Sequence, residues 1–144
     1  MFEILPHLFL GDANDAMHAM QSGDVKLVIN CTKHLPFYST GADVQHIRIA
    51  VEDDGNETDE LIKHWTAATF DAIASHVLKG HDVLVHCQMG RQRSAATVAA
   101  FIMHALGWPL DKTIDHVKRK KRDAFFPEVN FMGALEAYEI RASS

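Results

Sequence analysis

The most constraining feature of this sequence is a strand, a short polar loop and a helix in direct succession. Residues 82–86 form an apolar stretch that predicts a buried strand, and residues 94–106 are rich in small side chains and predict a helix that Gly107 ends. Between them lies a polar segment, residues 87–93, which we name the Cys87 loop. A loop that joins a strand to a helix points several backbone N–H groups and the positive end of the helix dipole at one place. We therefore expect an anion such as phosphate to bind here.

The rest of the chain alternates apolar runs with helical patterns. Strands are predicted over residues 8–10, 25–31 and 44–51, and helices over residues 13–21, 110–121 and 130–141. One long helix is predicted to begin at Thr58 or Asp59 and to end at Gly80. Strands separated by helices are typical of an α/β domain with a mostly parallel central sheet and helices on both faces. The length of 144 residues fits a single domain spanning residues 1–144.

Composition limits the classes of partner. The formal net charge of −5 argues against nucleic acid as a general partner. No stretch approaches the roughly 18 apolar residues that span a bilayer, and the apolar start of the chain lacks the basic leader of a signal peptide. Two cysteines make no disulfide framework, so a reducing, cytoplasmic location is expected. Without a long heptad pattern we expect a monomer. The ten histidines form no ligand pattern such as H-E-x-x-H, so neither a metal nor another cofactor is expected.

The residue types in the Cys87 loop suit nucleophilic attack on phosphorus. Cys87 opens the loop, where the N–H groups favour the thiolate, which is the nucleophilic form of the side chain. Arg93 closes the loop, and its planar guanidinium can hold two phosphoryl oxygens. Ser94 can donate a hydrogen bond to the sulfur when it leaves, and we expect His86 to orient the backbone rather than to contact substrate.

A phosphate ester also needs an acid, because an alkyl or aryl oxide leaves poorly until it is protonated. The acidic segment after the strand predicted to end at Val51 offers two candidates, Asp53 and Asp54. Either carboxyl group could reach the Cys87 loop from a loop that follows a strand.

The pattern H-C-x-x-G-x-x-R-S over residues 86–94 resembles the signature of the protein tyrosine phosphatase superfamily. Over residues 4–139 the chain resembles the small dual-specificity phosphatases. The resemblance includes ILPHLFLG at residues 4–11, VIN at residues 28–30 and IAVED at residues 49–53. It also includes Pro127 with the Phe131-Met132 pair and Leu135 near the end of the chain.

This resemblance implies a mixed, mostly parallel five-stranded sheet of the protein tyrosine phosphatase type, a metal-free reaction and a phosphorylated protein as substrate. By position it implies Cys87 as the nucleophile, Arg93 as the phosphate ligand and Asp53, rather than Asp54, as the general acid. The phosphate is expected to be held by the residues that follow the nucleophile: Gln88, Met89, Gly90, Arg91, Gln92 and Arg93.

The chain departs from the family pattern at three positions. Gln92 stands where relatives often have serine and Met89 where they often have alanine, and we expect both to act through their backbone more than their side chains. Glu128 replaces the usual asparagine after Pro127, which leaves open whether this segment is hydrogen-bonded to the loop.

Three features of the sequence allow more than one interpretation. Arg91 and the basic run over residues 118–122 are solvated surface, or they indicate a phosphoinositide or an RNA 5′-polyphosphate as substrate. The chain could also be a catalytically weak module that binds phosphoproteins. Cys31 is predicted to be a core residue, with a reversible disulfide to Cys87 as the alternative.

Overall fold

The computed structural model describes residues 1–22, 24–38, 43–52 and 58–142. Its strands are β1 Phe2–Leu5, β2 Leu8–Gly11, β3 Val25–Asn30, β4 Gln45–Arg48 and β5 Asp82–His86. They form one five-stranded sheet in the order β1-β2-β5-β3-β4. β1 is antiparallel to β2, whereas β2–β5, β5–β3 and β3–β4 are parallel pairs. The predicted mixed, mostly parallel sheet is confirmed, and β5 lies at its centre.

Helices cover both faces of the sheet, as predicted. They are α1 Ala13–Ser22, α2 Thr58–His64, α3 Ala67–Leu78, α4 Arg93–Leu106, α5 Leu110–Lys120 and α6 Met132–Ala142. In β5, Leu84 packs with Ala16 of α1 on one face, while Val83 and Val85 belong to the larger core cluster on the other face, which α4 shares. A strand buried on both faces needs the continuous apolar run that this segment has.

The long helix predicted from Thr58 or Asp59 to Gly80 is wrong, because the structure has two helices, α2 and α3, that meet at Trp65. Trp65 is buried, and its indole N–H donates to Thr97 Oγ1 on α4 at 3.1 Å. Thr66 then caps α3 by accepting the Thr69 N–H at 3.2 Å. The contact to α4 and the new cap together end one helix and begin the next.

β1 was not predicted from the sequence. Phe2 and Glu3 are exposed, so the strand lacks the apolar alternation that marks a half-buried strand. It forms because a tight turn at Pro6 and His7, with His7 at φ 69°, folds it back along β2. Its pairing is therefore a consequence of the turn.

Candidate active site

Cys87 lies at the carboxyl end of β5, the central strand, where ligands of parallel α/β sheets bind. Its Sγ accepts the Gly90 N–H at 3.3 Å and lies 3.1 Å from Ser94 Oγ. Ser94 is in the first turn of α4, so the sulfur faces the N-terminus of that helix. Hydrogen-bond donors and a helix N-terminus stabilise a thiolate, so these surroundings suit Cys87 as a nucleophile.

The loop can turn this tightly because of Gly90. Its φ is +69°, and a Cβ at this position would lie 2.7 Å from the Gly11 carbonyl oxygen. On the same side, the Ala13 N–H at the start of α1 donates to the Gln88 carbonyl at 3.1 Å. The Cys87 loop is therefore packed directly against the end of β2 and the start of α1.

Arg93 is the first residue of α4 and is 7% exposed. Its Nη1 donates to the Val51 carbonyl at 3.0 Å, which joins the end of the Cys87 loop to the segment that follows β4. The predicted acids Asp53 and Asp54 lie outside the described residues. The structure thus brings Cys87, Arg93 and Ser94 together.

His86 is buried, and its Nδ1 lies 3.5 Å from the Cys87 carbonyl oxygen. Burial lowers the pKa of His86 to about 4, so the ring is neutral near pH 7. A neutral, buried ring next to a backbone carbonyl is consistent with the predicted role of His86, which is to orient the backbone rather than to contact substrate.

The rim of the loop carries exposed side chains. Gln88 is exposed and Met89 is 50% exposed, so both turn their side chains outward. Arg91 Nε pairs with Asp123 Oδ2 at 3.2 Å. Asp123 belongs to a stretch after α5, residues 123–130, that borders the loop and that we name the wall segment.

Gln92 corrects the expectation that this position acts mainly through its backbone. Its side chain is 3% exposed, and Nε2 donates to the carbonyls of Phe126 at 3.1 Å and Glu128 at 2.7 Å. Its Oε1 accepts the Asn130 N–H at 3.0 Å. Glu128 itself has an exposed side chain. The loop and the wall segment are hydrogen-bonded after all, with Gln92 as the bonding side chain.

Cys31 lies in the core, as predicted. It follows β3, and its Sγ donates to Thr97 Oγ1 at 3.7 Å. Burial, and secondly electrostatic repulsion from the nearby Cys87 sulfur, raise the pKa of Cys31, so it remains a neutral thiol. Both cysteines are free in the structure, and the reversible disulfide stays a prediction.

The Dual specificity phosphatase, catalytic domain, family model matches residues 8–141. The chain belongs to this dual specificity phosphatase family. Membership confirms the predicted family and the class of the domain, a cysteine-based dual-specificity protein phosphatase. The match runs from the start of β2 to the penultimate residue of α6 and includes the whole Cys87 loop.

Several relatives of this dual specificity phosphatase domain are known. The Drosophila melanogaster protein phosphatase Slingshot is 34% identical over 138 residues, which are 94% of this chain and 13% of that protein. The chain thus spans a small part of that relative. Human DUSP28 has a crystal structure with a TM-score of 0.85 and 31% identity, covering 100% of both chains. A mouse putative dual specificity phosphatase complexed with zinc tungstate has a TM-score of 0.83 and 30% identity, covering 97% and 86%.

The described residues contain neither a helix that could cross a membrane nor a cluster of metal ligands. No helix in the described ranges has both the length and the apolar character needed to cross a bilayer. Within those same ranges, His, Cys, Asp and Glu side chains do not gather in threes as metal ligands do.

Proposed function

We propose that this dual specificity phosphatase domain hydrolyses phosphate monoesters in proteins, on phosphotyrosine and on phosphoserine or phosphothreonine, through a phosphocysteine on Cys87. The observation that carries the proposal is the environment of the Cys87 sulfur, with the Gly90 N–H at 3.3 Å and Ser94 Oγ at 3.1 Å at the start of α4. The family supports phosphoproteins as the substrate class.

In the first step the Cys87 thiolate attacks phosphorus in line with the leaving oxygen. The S–P bond forms as the P–O bond to the leaving group breaks. The loop N–H groups and Arg93 hold the three non-bridging oxygens and follow them into the transition state. The leaving oxygen takes a proton from Asp53, with Asp54 as the alternative.

In the second step a water molecule attacks the phosphocysteine. The aspartate that gave up its proton now takes one from the water, a new P–O bond forms, and the electron pair of the S–P bond returns to sulfur. The Ser94 hydroxyl stabilises that sulfur as it leaves. Phosphate is then released, and the thiolate and the acid are restored.

One contact supports an acid in this part of the chain. Arg93 holds the carbonyl of Val51, which precedes Asp53 by two residues. Two residues of chain span at most about 7 Å, so a carboxyl group on Asp53 has the reach to act beside the phosphate held by Arg93.

Hydrolysis of two aryl phosphates, one with a good and one with a poor leaving group, tests this mechanism with EDTA present. We expect turnover by the wild type and none by Cys87→Ser. We expect Asp53→Asn to lose more activity on the poor leaving group, because only that oxide needs the proton, and Asp54→Asn to serve as the matched control. The reverse pattern would assign the acid to Asp54, and turnover by Cys87→Ser would refute the thiolate mechanism.

The class of phospho-residue is tested with matched phosphotyrosine, phosphoserine and phosphothreonine peptides. We expect hydrolysis of all three. Activity confined to phosphotyrosine would refute dual specificity while leaving the thiolate mechanism intact.

A groove of about 540 Å³ beside the loop favours a second candidate, a phosphatase of the same mechanism for phosphoinositides or RNA 5′-polyphosphates. Its lining is basic through Arg91 and residues 119–122. However, it also contains Asp12, Asp15 and Asp123, and Asp123 already pairs with Arg91 and Lys121. A surface of mixed charge fits a peptide better than a polyphosphate, so we rank phosphoproteins above polyphosphates as substrates. Faster hydrolysis of polyphosphates than of phosphopeptides would reverse this ranking.

The third candidate is a module that binds phosphoproteins with little turnover. The assembled Cys87, Arg93 and Ser94 favour the enzyme instead. Measurable phosphopeptide binding by a wild-type protein that hydrolyses none of the substrates would establish the binding module.

A further inference from the structure

The side chain of Gln92 commits its polar groups to the wall segment. Its Nε2 donates to the carbonyls of Phe126 and Glu128, and its Oε1 accepts the N–H of Asn130. All three partners are backbone groups within residues 126–130, and Gln92 as a whole is 3% exposed. A buried side-chain amide that makes all its hydrogen bonds to one stretch of backbone fixes the position of that stretch relative to the Cα of Gln92.

The wall segment is held against the loop at a second point, Arg91, which is the residue before Gln92. The Phe125 N–H donates to the Arg91 carbonyl at 2.6 Å, and Asp123 pairs with the Arg91 guanidinium. Phe125 has φ +63°, an uncommon conformation for a residue other than glycine, and it is 1% exposed. Such a conformation persists only where the surroundings determine it strongly, so the wall segment is a firm support for Gln92.

The direction of the Gln92 side chain matters because Gln92 is the residue that precedes α4. Residues at this position commonly use their side chain to accept the free N–H groups of the first helical turn. Gln92 makes no such bond, and its φ of −121° and ψ of −72° lie outside the helical range. Its amide is drawn toward the wall segment instead, which leaves the first N–H groups of α4 available to an oxyanion.

We propose that Gln92 is a positioning residue for the Cys87 loop. Its amide fixes residues 91–93 against the wall segment, so that the loop N–H groups and Arg93 converge on the same phosphoryl oxygens. Its side chain bonds to the wall segment rather than to the substrate or the sulfur, and it acts through the loop backbone. The inference deepens the proposed function and rests on it for its kinetic readout.

The central experiment compares Gln92→Ala with Glu128→Ala. The first removes all three hydrogen bonds, and the second removes only an exposed side chain and keeps the carbonyl that Gln92 binds. We expect Gln92→Ala to lower kcat/KM for an aryl phosphate at least about tenfold, mainly through kcat, because the loop is no longer preorganised for the transition state. We expect Glu128→Ala to stay within about twofold of the wild type.

Two further readouts do not depend on turnover. Tungstate, an oxyanion with the shape of phosphate, is expected to bind Gln92→Ala at least about tenfold more weakly than the wild type in a thermal-shift titration. Iodoacetamide is expected to alkylate Cys87 more slowly in Gln92→Ala, because the donors around the sulfur are no longer held in place. If the wild type binds tungstate but hydrolyses nothing, the proposed function fails while these two readouts still test Gln92.

Gln92→Glu adds a graded test. A carboxylate would face two carbonyls that need a donor, whereas its protonated form can donate to one of them. We expect the ratio of its tungstate affinity to that of the wild type to rise as the pH falls toward 5. A ratio that stays constant with pH would count against the proposed bonding.

A folded Gln92→Ala that keeps kcat/KM, tungstate affinity and alkylation rate within twofold of the wild type would overturn the proposal. So would a lowered melting temperature with unchanged kinetics, since that is the result of a purely structural bond. If Gln92→Ala does not fold, Gln92→Asn replaces it, because it keeps the amide but is one methylene too short to reach all three partners.

Discussion

Two cysteines lie side by side at the carboxyl ends of neighbouring parallel strands, but different groups surround their sulfur atoms. Cys31 follows β3 and Cys87 follows β5, and the Cys31 N–H donates to the His86 carbonyl at 2.7 Å. Both side chains are buried. Cys31 Sγ meets the Thr97 hydroxyl, whereas Cys87 Sγ meets the Gly90 N–H and Ser94 Oγ.

The difference shows that the segment after the strand, rather than burial or strand position, determines what a cysteine can do. Burial alone raises the pKa of a thiol, and that is the outcome at Cys31. The Cys87 loop and the start of α4 instead surround the second sulfur with donors, which suits an anion. Each of the following predictions tests this contrast between the two sites.

The largest expected effect is on turnover. We expect Cys87→Ser to lower kcat/KM for an aryl phosphate at least about 1,000-fold, because a serine hydroxyl is not ionised at neutral pH. We expect Cys31→Ser to change it less than about threefold and to cost about 1 kcal/mol of stability, measured by urea unfolding. A folded Cys31→Ser that is as inactive as Cys87→Ser would mean that the two thiols act together.

The second effect is on alkylation. We expect iodoacetamide to modify Cys87 at least about 100-fold faster than Cys31 at pH 7, because Cys87 Sγ faces the Gly90 N–H and the start of α4, whereas Cys31 Sγ is buried against Thr97. Peptide mapping by mass spectrometry gives both rates in one sample, and tungstate should protect Cys87 alone. Equal rates at the two sites would remove the contrast.

The third effect concerns His86, which joins the two sites through its carbonyl. Because the fold holds the pKa of His86 near 4 by burial, the unfolded chain takes up a proton at this side chain first as the pH falls below 6.5. We expect the free energy of unfolding to fall by about 2 kcal/mol from this group between pH 6.5 and 4.5.

The measurement is urea unfolding as a function of pH for the wild type and His86→Gln. The other titratable groups contribute equally to the pH dependence of unfolding in both proteins, so the difference between the two curves isolates His86. Parallel curves would show that His86 keeps an ordinary pKa in the folded protein.

The smallest effect concerns Thr97, the partner of Cys31. Its hydroxyl donates to the Arg93 carbonyl at 3.0 Å and accepts the indole N–H of Trp65. We expect Thr97→Val to lower the stability by about 1–2 kcal/mol, because the buried indole N–H loses its acceptor. Thr97→Ser, which keeps the hydroxyl, is the control.

We expect kcat/KM to change less than about threefold in Thr97→Val, since the Thr97 hydroxyl contacts the sulfur of Cys31 and not that of Cys87. A large loss of turnover in a folded Thr97→Val would show that the hydroxyl supports the Cys87 loop through Arg93.

Much of the fold could be predicted from local patterns. β5 and α4 are found within one residue of their predicted positions, because an apolar strand, a glycine-containing loop and a helix stop at Gly107 are local signals. The break at Trp65 could not be predicted, because the indole partner Thr97 lies 32 residues away in sequence. β1 was missed for a related reason, since its exposed residues carry no pattern and only pairing defines it.

The sequence by itself determined the order of the residues proposed for the chemistry, Cys87, Gly90, Arg93 and Ser94, within one local strand–loop–helix unit. Tertiary structure alone decided what surrounds that unit. The three hydrogen bonds of Gln92 to residues 126–130 and the neighbouring position of Cys31 join segments far apart in sequence. A sequence pattern records local conformational preference, whereas a contact between distant segments depends on how the helices and strands pack.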